Sequence, residues 1–325
     1  MKNKLKIKKV VLSTLLITLV SVAWAQNVSY KIIENDPDKR NLFIHLNPFN
    51  VQAYVPNITI GYNIQATWLA AKHFQFQVDY RKAYLDGNAT GVYSPTGLKK
   101  SSQLEIGGAF NLSNRIKNKY HKVVLRSSTS GKYTYTSSIM VLGNARKIVS
   151  LRGGFLTFFC NHKIDNDFTK KADGMQGKTL DGTVSYLRDS INFEPINFTA
   201  RSVGIYGGID FKTIKQLIVN ADGYGTKSSK VANNFYLDVL FTPVVKYEIK
   251  PNSSQASYNN VDINIDENKR KVLGWRFGWQ YTLNQPCGFN AKMEIGQQPG
   301  LEGKSFFMTF GFGMTIGLKT KMLPI

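Results

Sequence analysis

Acid is scarce in this chain of 325 residues, where 21 Asp and Glu stand against 42 Lys and Arg for a formal charge of +21. Cysteine is rarer still. Cys160 and Cys287 are too few for a disulfide framework. The four histidines, His45, His73, His121 and His162, are scattered and form no HExxH-like metal spacing, and no CxxC occurs. No Ser-His-acid grouping can be assembled from their spacing either, so the chain reads as a non-enzyme without a metal or cofactor. One acidic stretch, Asp165-Asn166-Asp167, has alternate oxygens suited to Ca²⁺. It fails the EF-hand pattern, because Lys170 and Gln176 stand where Gly and Glu are required.

Long apolar runs are also missing. The only one, residues 10–22, follows Lys2, Lys4, Lys6, Lys8 and Lys9 and precedes Ala23-Trp24-Ala25. A basic segment, a short apolar run and a small-x-small site read as a signal peptide over 1–25, leaving 26–325 as the mature chain. Removing its five lysines takes the charge from +21 to +16 (21 minus 5). An exported chain with that excess points to lipid headgroups or other anionic partners. Nucleic acid is not among them, since no nucleic-acid motif is present.

What the sequence does have is strict alternation. Ile58, Ile60, Tyr62, Ile64, Ala66 and Trp68 interleave with Asn57, Thr59, Gly61, Asn63, Gln65 and Thr67. Trp275, Phe277, Trp279, Tyr281 and Leu283 oppose Gly274, Arg276, Gly278, Gln280 and Thr282. The same period recurs at 74–81, 103–112, 202–211 and 289–296. The last case, 306–318, sets Phe306, Met308, Phe310, Phe312, Met314, Ile316 and Leu318 against Phe307, Thr309, Gly311, Gly313, Thr315 and Gly317. Period two means strands with one apolar and one polar face. Several runs reach about ten residues, the length a tilted strand needs to cross a bilayer. Aromatic residues gather toward strand ends at Trp68, Tyr84, Phe159, Trp275 and Tyr281. The expected fold is therefore all-β, an antiparallel transmembrane β-barrel with a polar lumen, of about twelve strands with 10–14 allowed.

The twelve expected strands are 41–49, 56–68, 73–85, 101–112, 119–128, 132–142, 146–160, 200–211, 232–247, 270–283, 288–297 and 304–318. Long loops at 86–100, 161–199 and 248–269 then fall outside, and short turns at 69–72, 113–118, 143–145 and 284–287 fall on the periplasmic side. The connection 212–231, twenty residues long, breaks the pattern and reads as an extension of the preceding strand or a small element beneath the barrel.

Two groups of residues become candidates. Gln75, Gln77, Asp79, Arg81, Glu105, Arg152, Asp210, Arg276, Lys292 and Glu294 face the lumen, where paired charges would plug it and an open polar path would conduct. Arg115, Lys117, Lys119, Arg146, Lys147, Lys212 and Lys215 form a basic periplasmic rim, with Asp222 the visible acid. Cys160 and Cys287 fall at opposite ends and are not expected to bond.

The mature chain resembles outer-membrane β-barrel proteins of Gram-negative bacteria. Its Asn- and Lys-rich usage, as in NADGYGTKS (220–228) and QPGLEGKSFF (298–307), is similar to uncharacterised barrels of Bacteroidota. That resemblance implies an outer-membrane location and no substrate or catalytic residue. The last strand continues into 319–325, so an assembly signal is expected within 306–312. The expected role is a structural or accessory subunit of a cell-envelope assembly, with lipid and a periplasmic or outer-membrane protein as partners. A narrow solute channel is the alternative, and a hydrolase or acyltransferase a distant third.

Overall fold

The structure is a computed structural model that describes residues 28–54, 57–88, 100–163, 176–178, 184–186, 197–249, 261–262, 270–301, 306–321 and 323. Eleven strands matter here: β1 (Tyr30–Asn35), β2 (Leu42–Tyr54), β3 (Asn57–Trp68), β4 (Phe74–Asn88), β5 (Ser102–Ser130), β6 (Tyr133–Lys163), β7 (Asn197–Ala221), β8 (Gly225–Ile249), β9 (Leu273–Leu283), β10 (Cys287–Gln297) and β11 (Phe306–Leu318). Strands β2 to β8 pair in chain order, as do β8 to β10. β10 then pairs with β11, and β11 returns to β2. Every ladder is antiparallel, so the ten strands close a barrel with no free edge. β1 stays outside the ring and pairs with the end of β7, from Tyr30↔Ala221 to Asn35↔Leu217.

Ten strands replace the twelve expected. The segments 119–128 and 132–142 do not cross the barrel, and 113–118 and 143–145 are not turns. β5 and β6 run through both as single strands of 29 and 31 residues. The polar stretch Ser113-Asn114-Arg115 suggested a break, but it contains neither Gly nor Pro, and Leu112 is absorbed as a bulge between Asn111↔Ser150 and Ser113↔Val149. The ladders to the neighbouring strands stop early. β4 pairs with β5 only up to Phe74↔Phe110, and β7 meets β6 only from Ala145↔Lys215. Beyond those points β5 and β6 continue as a two-stranded ribbon with its tip at Gly131, where φ is +59°.

The long connection 212–231 resolves similarly. β7 runs on to Ala221 and β8 starts at Gly225, so the segment is mostly hairpin. Pro48 sits inside β2 because the ladders to β3 and β11 shift register around it, leaving no ladder bond for the missing N–H.

Outside the barrel the ribbon packs on that hairpin. Val123 and Val141 bury against Leu217 and Val219, with Ile139 at the edge. Each such side chain contributes roughly 1.5–3 kcal/mol on full burial, enough to hold the ribbon against the β7–β8 hairpin. Its other face is uncovered: Ile116, Tyr120, Met140 and Leu142 are 51, 67, 56 and 44% exposed.

On the barrel wall the large apolar side chains point outward, as at Phe76, Ile106, Phe155, Phe211, Leu237 and Phe310. The smaller and polar register of the same strands points in. The expected signal peptide, the 164–175 loop with Asp165 and Asp167, and most of the other long loops lie outside the described residues. Cys160 is beside Ala200 toward the long-loop end and Cys287 beside Ile316 at the short-turn end.

Candidate functional site

The inward register fills the lumen. A ten-stranded ring is wider than the eight-stranded ring that ordinary side chains fill, so long side chains must reach the axis. Arginines, tyrosines and amides do so in layers. Toward the long-loop end, Leu156, Phe158, Tyr206, Leu240 and Phe307 make an apolar layer. Toward the short-turn end, Phe43, Leu69, Ile148 and Ile214 make another, with Ala232 packed against it.

Between them lies a buried network of four cations and four anions. Arg81 reaches Glu294 at 2.5 Å, Asp79 at 3.2 Å and Glu105 at 3.9 Å. Arg276 donates to Glu105 at 2.5 and 2.9 Å and to Asp238 at 2.7 Å. Arg152 is 3.3 Å from Asp238, and Lys292 binds Asp79 and stands 3.3 Å from Glu294. Tyr236 donates its hydroxyl to Glu294, and its ring lies 4.2 Å beneath the Arg152 guanidinium. Gly278 leaves the room for that ring, since a Cβ there would run into it. With formal charges balanced four to four, no ion in the network is left without an opposite partner, the condition for tolerating such desolvation.

A chain of amides continues the network downward. Asn63 donates to Asp79 at 2.7 Å, Asn47 to Asn63 at 2.9 Å and Asn290 to Asn47 at 2.8 Å. Gln280 donates to Asn290 and to Gln65, each at 3.1 Å. A cavity of about 30 Å³ lies beside Phe43, His45 and Lys212, with room for a few water molecules. Among the described residues no cluster of three His, Cys, Asp or Glu could hold a metal ion.

All ten residues expected in the lumen lie on this inward register. Asp79, Arg81, Glu105, Arg152, Arg276, Lys292 and Glu294 belong to the charge network. Gln75 bonds Asn111 and Ser150, Asp210 lies 4.0 Å from Lys212, and Gln77 is half-buried. Sequence reasoning missed Asp238, Tyr206 and Tyr236. The alternation of Phe235, Leu237, Val239 and Phe241 against Tyr236, Asp238 and Leu240 carried the signal.

The basic rim needs two corrections. Lys212 is inside the barrel and donates to Gln75 at 2.6 Å. Its position belongs to the inward register, with Asp210 and Ile214 on either side. Arg146 is buried too, held by Asp38 at 2.8 Å and Asn114 at 2.8 Å. The segment 34–38 also supplies acids at this end besides Asp222, since Glu34 binds Lys39 at 2.6 Å.

Arg115, Lys117, Lys119, Lys147 and Lys215 remain at the surface. Register sets Arg115 beside Lys147 and places Lys117 and Lys215 on either side of Ala145. Lys119 beside Lys147 pushes the Lys147 ammonium below the usual lysine range, with Lys117 and Lys215 adding to the repulsion. Nearby, burial and the Lys215 charge hold the His121 imidazole below its usual range while its Nε2–H donates to the Gly143 carbonyl at 3.1 Å.

No family model and no curated protein matches this chain. Among solved structures it is similar to OmpT (in-vitro folded), an outer membrane protein of Vibrio cholerae, at 8% identity over 89% of this chain and 100% of that one. The TM-score is 0.18, a likeness that carries no argument, so the fold rests on the closed strand order itself.

Proposed function

We propose that this protein is an integral outer-membrane β-barrel acting as a non-enzymatic structural or accessory subunit of a cell-envelope assembly. The observation that carries the reading is the filled lumen. Among the described residues two apolar layers and the charge network between them occupy the barrel interior, so its working surfaces are its ends and its ribbon. An outward wall of Phe, Ile, Leu and Trp supports the membrane location, because so broad an exposed apolar band needs lipid around it. The ribbon, not needed for closure and exposing Ile116, Tyr120, Met140 and Leu142, is the part suited to contact a neighbouring subunit.

Purification in mild detergent tests it. A stoichiometric partner is expected to co-purify and to be lost from Tyr120→Asp/Leu142→Asp, while planar bilayers with the reconstituted protein show no steady conductance. Steady single-channel currents would turn the reading to a solute channel. Recovery of the mature protein from periplasmic extract without detergent would end the membrane reading.

A further inference from the structure

On three adjacent strands the outward apolar wall gives way abruptly to positive charge. β5 carries Phe110 and then Arg115, Lys117 and Lys119; β6 carries Leu151 and Val149 and then Lys147; β7 carries Ile209 and Phe211 and then Lys215. Around the ring at the same end, Trp68, Phe74, Tyr281, Phe289 and Leu318 stand at comparable positions. Lys72, Lys319 and Lys321 lie at this end too, but in segments outside the strands, so it is the strand-borne cluster that is local.

Among the described residues no ion pair engages Lys117, Lys119, Lys147 or Lys215. Asp38 is engaged by Arg146, Glu34 by Lys39 and Gln216, and Asp222 by the Ser29 hydroxyl. The lysines instead crowd one another, and the Lys147 ammonium is depressed accordingly. A cluster that costs repulsion in the free protein is relieved by an anion with several oxygens, and phosphate suits that role better than a lone carboxylate.

We propose that Lys117, Lys119, Lys147 and Lys215 bind the phosphate headgroup of an anionic lipid at the short-turn edge of the apolar wall. The inference rests on the membrane reading above, and depth selects the ligand. A group that touches these lysines lies flush with the lower border of the apolar band, the level at which a bilayer places its phosphates. Flexible lysine stems can extend along that border with their ammonium groups in the headgroup layer.

The test uses the full mature protein in nanodiscs and micelles containing phosphatidylglycerol or phosphatidylcholine, read by native mass spectrometry. Wild type is expected to retain phosphatidylglycerol selectively, and the quadruple Lys→Gln variant at these positions to lose at least about tenfold of that retention. A quadruple Lys→Arg variant keeps it, and Lys122→Gln/Lys132→Gln, elsewhere on the ribbon, leaves it unchanged. Heat-modifiable gel mobility confirms that each variant is folded. Should the quadruple Lys→Gln protein not fold, Lys119→Gln and Lys147→Gln are each read alone, with a smaller loss expected.

Equal retention of both lipids, or undiminished phosphatidylglycerol on the folded Lys→Gln variants, overturns the inference. So does displacement by a large excess of inorganic phosphate, which would mark a free-anion site. Loss of a co-purifying acidic protein with lipid retention unchanged would assign the patch to that protein instead. A protein that never enters the nanodisc bilayer fails the membrane reading itself, whereas one that enters without lipid preference fails only this inference.

Discussion

The lumen and the basic sector of the short-turn end are built from the same residue types and reach opposite outcomes. Inside, Arg81, Arg152, Arg276 and Lys292 each lie within 4 Å of a carboxylate, and the formal charge cancels. At the surface, Lys117, Lys119 and Lys215 surround Lys147, and among the described residues no ion pair answers them. Solvent explains the difference. An unpaired charge is strongly disfavoured in the buried network but tolerated where water and salt screen it. Inside, then, each charge needs a partner, whereas at the surface unpaired charge survives because solvent and salt screen it.

Breaking the paired side should have the largest effect. Arg276→Met takes the nearest cation from Glu105 and Asp238 and leaves the network one positive charge short, with an expected loss on the order of 3–5 kcal/mol. The check is the urea midpoint of the folded, heat-modifiable form. Adding Glu105→Leu to that variant should recover part of the loss. No recovery would mean that the network does not act through charge balance.

Packing around the network comes next. Gly278→Ala forces the Tyr236 ring away from its place between Arg152 and Glu294, at about 1–3 kcal/mol in the same assay. A neutral result would show that the ring moves freely and does not order the cluster.

The third effect is local and pH-dependent. The folded-state pKa of His121 lies below its unfolded value, so the stability that it lends is present at neutral pH. That stability is lost as pH falls from the unfolded value of about 6.5 through the folded one. Amide protection at 121–125 and 139–143, measured against the intrinsic exchange rate at each pH, should therefore fall on acidification while that of the barrel amides holds. His121→Phe should remove the dependence, and uniform loosening of all strands would count against a local cause.

The smallest effect has the opposite sign. Lys147→Gln relieves repulsion in the basic sector, so the folded form should be slightly more resistant to heat than wild type in low salt, with the gain fading in high salt. A loss of stability would mean that an unseen acid pairs with Lys147.

Much of the wall was legible in the sequence because a strand writes its two faces into alternate positions. Arg276, Lys292 and Glu294 sit opposite runs of large apolar residues and could be assigned inward without coordinates. Where β5 and β6 leave the barrel was not legible. Residues 113–118 and 143–145 read alike whether they turn or continue, and only the points where the ladders to β4 and β7 end decide which. Arg146 and Lys212 misled for a related reason. Lys212 continues the inward register of Tyr206, Gly208 and Asp210, which its placement in a connection concealed, whereas nothing local shows that Arg146 reaches Asp38 across the fold.

The sequence by itself determined the all-β class, the antiparallel alternation and the sign of the charge, because each is a property of neighbours along one strand. Only the tertiary structure decided that ten strands close, that the lumen charges balance and that four lysines converge. Those depend on partners as far apart as Glu105 and Arg276, or Lys117 and Lys215, whose meeting is fixed by register around the ring.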